Sequence, residues 1–230
     1  MAKSRRPIVA IDGPAGAGKS TVTKRVAREL GYTQVDTGAL YRAVAWLCLD
    51  RDVAFDDQPE VAKVAAELAQ PGSIRLSVDQ DRTRVFVHER DVSDAIRSRE
   101  ASLGASLVSQ NPEVRSSLLS IQRQLGRDGG VVLEGRDIGS VVFPDAEAKF
   151  FLTASIEVRA ARRQAELAEK GQPPSLDEVI FEVKERDRRD TMRPISPLIR
   201  ADDAMTVDSS SLDIDEVVAF IVQRVRDLEP

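Results

Sequence analysis

"PIVAIDGPAGAGKSTVTKRVAREL", residues 7 to 30, decides the fold. Residues 8–11 form an apolar run that reads as a buried strand, and residues 19–30 carry the apolar spacing of an amphipathic helix. Between them Gly13, Gly18, Lys19 and Ser20 satisfy G-x-x-x-x-G-K-[ST], in the strand-then-helix setting that this motif requires. Glycines let successive backbone N–H groups turn inward, and the following helix adds the partial positive charge of its N-terminus, so a nucleoside triphosphate is cradled. Lys19 is placed to reach the β and γ phosphates, and Ser20 to offer its hydroxyl to Mg²⁺. Such a cradle names ATP or GTP but not the reaction, because motors, switches and kinases share it.

Further buried parallel strands are predicted at 33–35, 131–133, 149–152 and 205–207, with helices at 19–30, 39–50, 59–69, 99–109, 112–127, 156–169, 176–191 and 214–227. This alternation implies an α/β sandwich. Ser175 with Glu178, and Asp213 with Glu216, are capping boxes that open the last two helices. One stretch breaks the pattern. Residues 73–93 alternate with a period of two and turn at 80–82, which predicts an antiparallel hairpin and hence an inserted lobe at about 70–100, able to move against the core.

The bounds agree with one globular chain. The 230 residues are 42% apolar and 31% charged, with a net charge of -5 that argues against broad binding to nucleic acid. No apolar segment follows the basic start, so no membrane span is expected and the cytoplasm is the expected location. Cys48 stands alone in "AVAWLCL" and reads as buried bulk in a reducing compartment. With His88 the single histidine, a His/Cys metal site is excluded; "TRVFVHE" makes His88 a plain strand position. A guanine-reading Asn-Lys-x-Asp segment is absent, since the only asparagine, Asn111, precedes a proline.

Three further stretches carry chemistry. "VDTGALYR" (35–42) would set Thr37, Tyr41 and Arg42 along the strand-end edge where nucleotide sites form. "VVLEGRDIG" (131–139) ends a strand in Glu134, the kind of position that organises Mg²⁺ water, and continues into Arg136 and Asp137. "KERDRRDTMR" (184–193) gathers Arg186, Arg188, Arg189 and Arg193, with Arg159, Arg162 and Arg163 on the preceding helix. Together, around "KGQPP", these read as a cationic lid for a transferring phosphoryl group, where most such runs are only solvated faces.

In this order "DGPAGAGKST", "VDTGALYRA", "EGRDIGSVVFPDA" and "KERDRRD" resemble the bacterial-type cytidylate kinases, over nearly the whole chain. The resemblance implies a single P-loop NTPase-type domain over 1–230: three layers, a parallel central sheet with helices on both faces, a small antiparallel CMP-binding insert at 70–100 and a helical lid at 156–193. It implies a monomer that transfers the γ-phosphoryl group of ATP, with Mg²⁺, to CMP or dCMP, closing the insert and lid as CMP binds. By the same similarity Gly13, Pro14, Ala15, Gly16, Ala17, Gly18, Lys19, Ser20 and Thr21 hold ATP and Arg162 lies over its adenine. Ser106, Arg115 and Asp137 read cytosine, Arg42, Arg136 and Arg193 clamp the CMP phosphate, Arg186 and Asp190 hold the sugar, and Thr37, Tyr41 and Glu134 complete the acceptor site. Lys19, Arg136, Arg186 and Arg193 are then the catalytic cations. The base chemistry agrees: cytosine offers N3 and O2 acceptors to an Arg and an N4 donor to an Asp, whereas uracil reverses the pattern. Thr37 stands where many relatives carry Ser, and Glu134 where some carry Asp. Two alternatives stay open on the residues alone: a kinase for another small acceptor such as UMP or shikimate, and a nucleotide-gated binding protein that hydrolyses ATP slowly.

Overall fold

The computed structural model describes residues 5–79, 82–169, 171 and 174–229. In chain order these form β1 (Ile8–Asp12), α1 (Lys19–Leu30), β2 (Thr33–Asp36), α2 (Gly38–Asp50), α3 (Gln58–Leu68), β3 (Ile74–Asp79), β4 (Arg82–Val87), β5 (Arg90–Asp91), α4 (Arg99–Val108), α5 (Pro112–Gly126), β6 (Val131–Gly135), β7 (Ala148–Thr153), α6 (Ile156–Ala168), α7 (Leu176–Met192), β8 (Met205–Asp208) and α8 (Ile214–Arg226). The chain divides into two compact units, Met1–Tyr32 with Gly129–Pro230, and Thr33–Asp128.

In the first unit four strands run parallel in the order β6-β1-β7-β8. Every residue of β1 and β6 is buried, which is why both read as unbroken apolar runs instead of alternating ones. Val9, Ile11, Val132, Phe150 and Leu152 form one face of the sheet and pack with Val22 and Val26 of α1 and Val217, Val218 and Ile221 of α8. The alternate residues Ile8, Ala10, Val131 and Leu133 are buried as well, so both faces of the sheet are covered. Register places Ile11 beside Glu134 and Asp12 beside Gly135, so the glycine loop leaves β1 at the same edge where β6 delivers Glu134. Ligands of parallel α/β sheets bind at that carboxyl edge. Both capping boxes form, Ser175 with Glu178 at the start of α7 and Asp213 with Glu216 at the start of α8. The helices α6 and α7 share their own small core of Ala160, Val179 and Val183.

The second unit packs α2, α3, α4 and α5 around Leu40, Val44, Leu47, Leu68, Val108 and Leu118, with Val85 and Val87 of the small sheet joining that core. Cys48 is fully buried there, and burial pushes its thiol up to about 11, so it is inert bulk. The small sheet is antiparallel and three-stranded, β3-β4-β5, one strand more than the sequence pattern predicts. Of the turn expected at 80–82, residues 80 and 81 lie outside the described residues. His88 is a correction: it lies past the end of β4, with φ 45°, and Glu89 follows with φ 65°. Two left-handed residues joining antiparallel strands make a tight hairpin turn. The side chain of His88 faces solvent and pairs with Glu67 at 2.8 Å.

Candidate active site

The glycine loop closes on its neighbours so tightly at Gly13 and Gly16 that side chains are excluded there. Gly13 has φ 152°, and a Cβ there would stand 1.9 Å from the carbonyl oxygen of Leu152; Gly16 has φ 76°, and a Cβ would meet the Arg159 carbonyl oxygen at 2.8 Å. The loop delivers α1 with no acidic residue in its first turn, leaving the positive helix end open to an anion. Lys19 folds back over the loop, where its Nζ donates to the carbonyl oxygens of Gly13 and Pro14, each at 2.7 Å. Burial holds its ammonium well below the ordinary lysine value, helped by the charges of Arg136 and Arg186 and opposed by Glu134 and Asp190. Ser20 Oγ donates to Glu134 Oε2 at 2.8 Å.

Beyond the loop, the arginine runs separate into distinct jobs. Arg159 is a buried brace and not a lid cation: it donates to the carbonyl oxygens of Ala154 (2.9 Å) and Ala15 (3.1 Å) and to Asp187 (2.7 Å), fastening the loop to α6 and α7. Arg162 is held by Ser209, through its hydroxyl at 3.0 Å and its carbonyl at 2.8 Å, and reaches the Ala17 carbonyl at 3.4 Å. Arg163 and Arg188 pair with Glu166 and Glu185 one helical turn away on the surface, the solvated-face outcome. Of "KGQPP", Lys170, Gln172 and Pro173 lie outside the described residues.

The remaining cations converge. Arg136 Nε donates to Asp190 Oδ2 at 2.8 Å, and Arg193 lies 3.7 Å from Asp137 while its Nε donates to the Ser196 carbonyl at 2.6 Å. Burial alone would raise the carboxyl of Asp190, but Arg136, Arg186 and Arg193 bring it below the ordinary carboxylate value. So Lys19, Arg136, Arg186 and Arg193 form one field of positive charge, with Glu134, Asp137 and Asp190 spaced among them. A field of this kind suits a phosphoryl group carrying negative charge on its equatorial oxygens.

The second unit holds its own set. Arg42 pairs with Asp36 at 2.6 Å; burial would push that carboxyl up, but Arg42, with Arg97 beyond, holds it below its usual value. Thr37 opens α2 and is buried. Arg115 is only 6% exposed, its guanidinium stands 5.3 Å from the centre of the Tyr41 ring, and Gln122 Nε2 donates to the Tyr41 hydroxyl at 3.4 Å. Ser109 links the two other candidates: its hydroxyl donates to the Ser106 carbonyl at 3.1 Å, and its own carbonyl accepts from Arg115 at 3.4 Å.

Sequence reasoning missed Asp12, Asp36, Gln122 and Ser209, and singled out Arg159 only as one of the lid cations. Asp36 and Asp12 had a signal, each a carboxylate at a strand end beside a glycine-bearing motif; Gln122 and Ser209 are defined only by partners distant in sequence.

The residues fit Mg²⁺, since a serine hydroxyl bonded to a carboxylate is a pair of hard oxygen donors, and Mg²⁺ beside phosphates takes one or two protein ligands and completes its shell from phosphate and water. Among the described residues no helix is long and apolar enough to cross a membrane.

Comparison with known proteins identifies the family. The cytidylate kinase family matches residues 9–227. A cytidylate kinase of Geobacter sp. is 48% identical over 220 residues, covering 96% of this chain and 93% of its own. One from Pelotomaculum thermopropionicum is 48% identical over 220 residues, covering 95% of this chain and 96% of its own. A bifunctional pantoate ligase/cytidylate kinase of Synechococcus sp. is 48% identical over 226 residues, and the present chain, 98% of it aligned, spans 42% of that longer protein. The chain belongs to the cytidylate kinase family.

Proposed function

We propose that the protein transfers the γ-phosphoryl group of ATP to the phosphate of CMP or dCMP, giving ADP and CDP or dCDP. The observation that carries this reading is the cation field of the first unit, in which Lys19 of the glycine loop shares its electrostatic surroundings with Arg136, Arg186 and Asp190. The loop backbone and Lys19 would hold the donor phosphates, Arg162 the adenine, and Arg136, Arg186 and Arg193 the acceptor phosphate and sugar with Asp190. By the family resemblance Thr37, Tyr41, Arg42, Ser106, Arg115 and Asp137 would contact CMP. Mg²⁺ when bound, held by Ser20 and through Glu134, would neutralise charge on the β and γ phosphates. The acceptor is already a phosphate oxygen, so no side-chain nucleophile is called for, and the protein's work is positioning and charge stabilisation. Binding of the acceptor completes the site, which keeps water from taking the phosphoryl group. We place the protein in the cytoplasm and read it as a monomer.

The test is ADP formation with ATP alone and with CMP, dCMP, UMP, AMP or shikimate added. Turnover that depends on CMP and dCMP supports the reading. Turnover equal with and without any acceptor would favour the nucleotide-gated alternative, and dependence on another acceptor would reassign the substrate.

A further inference from the structure

The backbone that follows Arg136 and Asp137 is held by a carboxylate from a different strand. Asp12 ends β1, is 5% exposed and runs directly into Gly13. Its Oδ1 accepts from the Ile138 N–H and its Oδ2 from the Gly139 N–H, each at 2.8 Å. These are the leading donors of a single π-helical turn, Ile138–Val142, closed by Val142 N–H to the Asp137 carbonyl at 3.1 Å and Phe143 N–H to the Ile138 carbonyl at 2.7 Å. The first N–H groups of a helical turn have no partner within it, and here one side chain satisfies two of them. From β7, the stem of Lys149 runs under the same turn: a Cβ on Gly139 would come within 3.2 Å of Lys149 Cδ. The Lys149 ammonium donates to the Pro144 carbonyl and pairs with Asp203 at 2.7 Å. Arg136 and Asp137 are thus spanned between Gly135, in register with Asp12, and a turn whose first two donors are committed to Asp12.

We propose that Asp12 is a positioning residue for the acceptor nucleotide: by binding the N–H groups of Ile138 and Gly139 it fixes the backbone of Arg136 and Asp137, and so the geometry with which those two meet the phosphate and base of CMP. This rests on the function proposed above. Only a carboxylate offers both N–H groups an acceptor; an asparagine would turn one oxygen into an NH₂ facing an N–H, donor against donor in a buried site, and the turn would give way. Asp12 also continues into the phosphate loop, so a merely structural role would disturb donor and acceptor binding alike.

The experiment compares wild type with Asp12→Asn in kcat/KM for CMP and for UMP, in ADP affinity by calorimetry without acceptor, and in amide hydrogen exchange over residues 136–143. Asp12→Asn is expected to raise KM for CMP about tenfold, to narrow the CMP to UMP ratio and to speed exchange at Ile138 and Gly139, while ADP affinity stays within about threefold. An unchanged ratio with unchanged exchange, or equal losses for ADP and CMP, overturns the proposal. Should Asp12→Asn not fold, Asp12→Glu keeps two acceptor oxygens but carries them one carbon further along, out of line with the Ile138 and Gly139 N–H groups, and is expected to narrow the ratio too; a wild-type ratio there overturns the proposal. A wild-type enzyme indifferent to CMP instead defeats the substrate reading, and the role of Asp12 falls with it.

Discussion

Ser20 Oγ and Glu134 Oε2 are 2.8 Å apart, although 114 residues separate them, because β1 and β6 are neighbours in register and both end at the loop edge. A hydroxyl held by a carboxylate at the foot of a phosphate loop is suited to a hard cation and its water. Glu134→Gln keeps the size of the side chain and removes the charge. Outer contacts of this kind typically cost 10–100-fold in metal affinity when lost, so the Mg²⁺ concentration for half-maximal activity is expected to rise at least about tenfold, with maximal rate recovering at high Mg²⁺. Titrating Mg²⁺ at saturating ATP and CMP checks this, and an unmoved midpoint would assign Glu134 to loop organisation alone.

Lys19 is expected to show itself twice. Removing a positioned donor to developing charge costs about 3–4 kcal/mol, so Lys19→Ala should lower kcat roughly 10²- to 10³-fold with the fold intact. Burial holds the free ammonium well below its usual value, and a polyphosphate brought against it raises it again. ATP binding is therefore expected to take up protons at alkaline pH, where the free lysine is partly neutral. Calorimetry in two buffers of different ionisation heat measures the uptake, which Lys19→Met should abolish; equal uptake in both proteins would contradict the assignment.

Arg193 is buried against Asp137 and the Ser196 carbonyl, which is not the setting of a solvated charge. Arg193→Ala is expected to raise KM for CMP and lower kcat together. Arg193→Lys, which keeps the charge but loses the planar fork, should fall between them. If both constants in both variants stay within about twofold of wild type, this part of the arginine run is not a phosphate clamp.

How much of this was legible beforehand follows from where the information sits. The strand–loop–helix at residues 8–30 is local, and each of its signals, apolar run, glycines, lysine and amphipathic spacing, points to the same geometry. The capping boxes at Ser175 and Asp213 are local too, and both formed. The arginine run was legible as charge but not as division of labour: Arg188 and Arg193 lie five residues apart, and only packing decides that the first pairs on the surface while the second is buried. His88 continued an alternating pattern by sequence, yet the left-handed backbone at His88 and Glu89, without the usual Asn-Gly, ended the strand one residue earlier. The π turn at Ile138 has no periodic signature, and its anchor, Asp12, lies on another strand.

Asp12 also gives a pH signature with a definite sign. Burial, only partly offset by the N–H groups of Gly139 and Ile138, pushes its carboxyl up to about 6 from an ordinary 3.8. The native state then holds a proton that the unfolded chain has already released, so this residue's contribution to stability is lost as pH rises from the unfolded value to the native one. Asp12→Asn has no such proton. Measured by denaturant unfolding, the variant should gain on wild type by ~3 kcal/mol between about pH 4 and about pH 7, whatever its offset at the start. A stability difference that stays flat across that window would mean the carboxyl is not shifted.

Base selection is the sharpest test of the substrate. Arg115 is buried on α5, set against the Tyr41 ring and tethered to Ser109, so its guanidinium is held in place before any nucleotide arrives. Asp137, beside Arg193, is an acceptor. Cytosine supplies an N4 donor for such a carboxylate and N3 and O2 acceptors for the arginine; uracil would set its O4 against the carboxylate, acceptor facing acceptor. UMP is therefore expected to be a poor substrate. Each good base contact is worth about 1–3 kcal/mol, so Asp137→Ala should cost CMP roughly ten- to two-hundredfold in kcat/KM and cost UMP much less. Arg115→Met keeps bulk against Tyr41 but removes the donors, and should hurt CMP to a similar degree. Because Asp137→Ala also strips Arg193 of its partner, a loss through the phosphate clamp must be told from a loss through the base. A damaged clamp lowers CMP and UMP equally, while a lost base contact moves their ratio. An unchanged CMP to UMP ratio in both variants would show that neither residue reads the base.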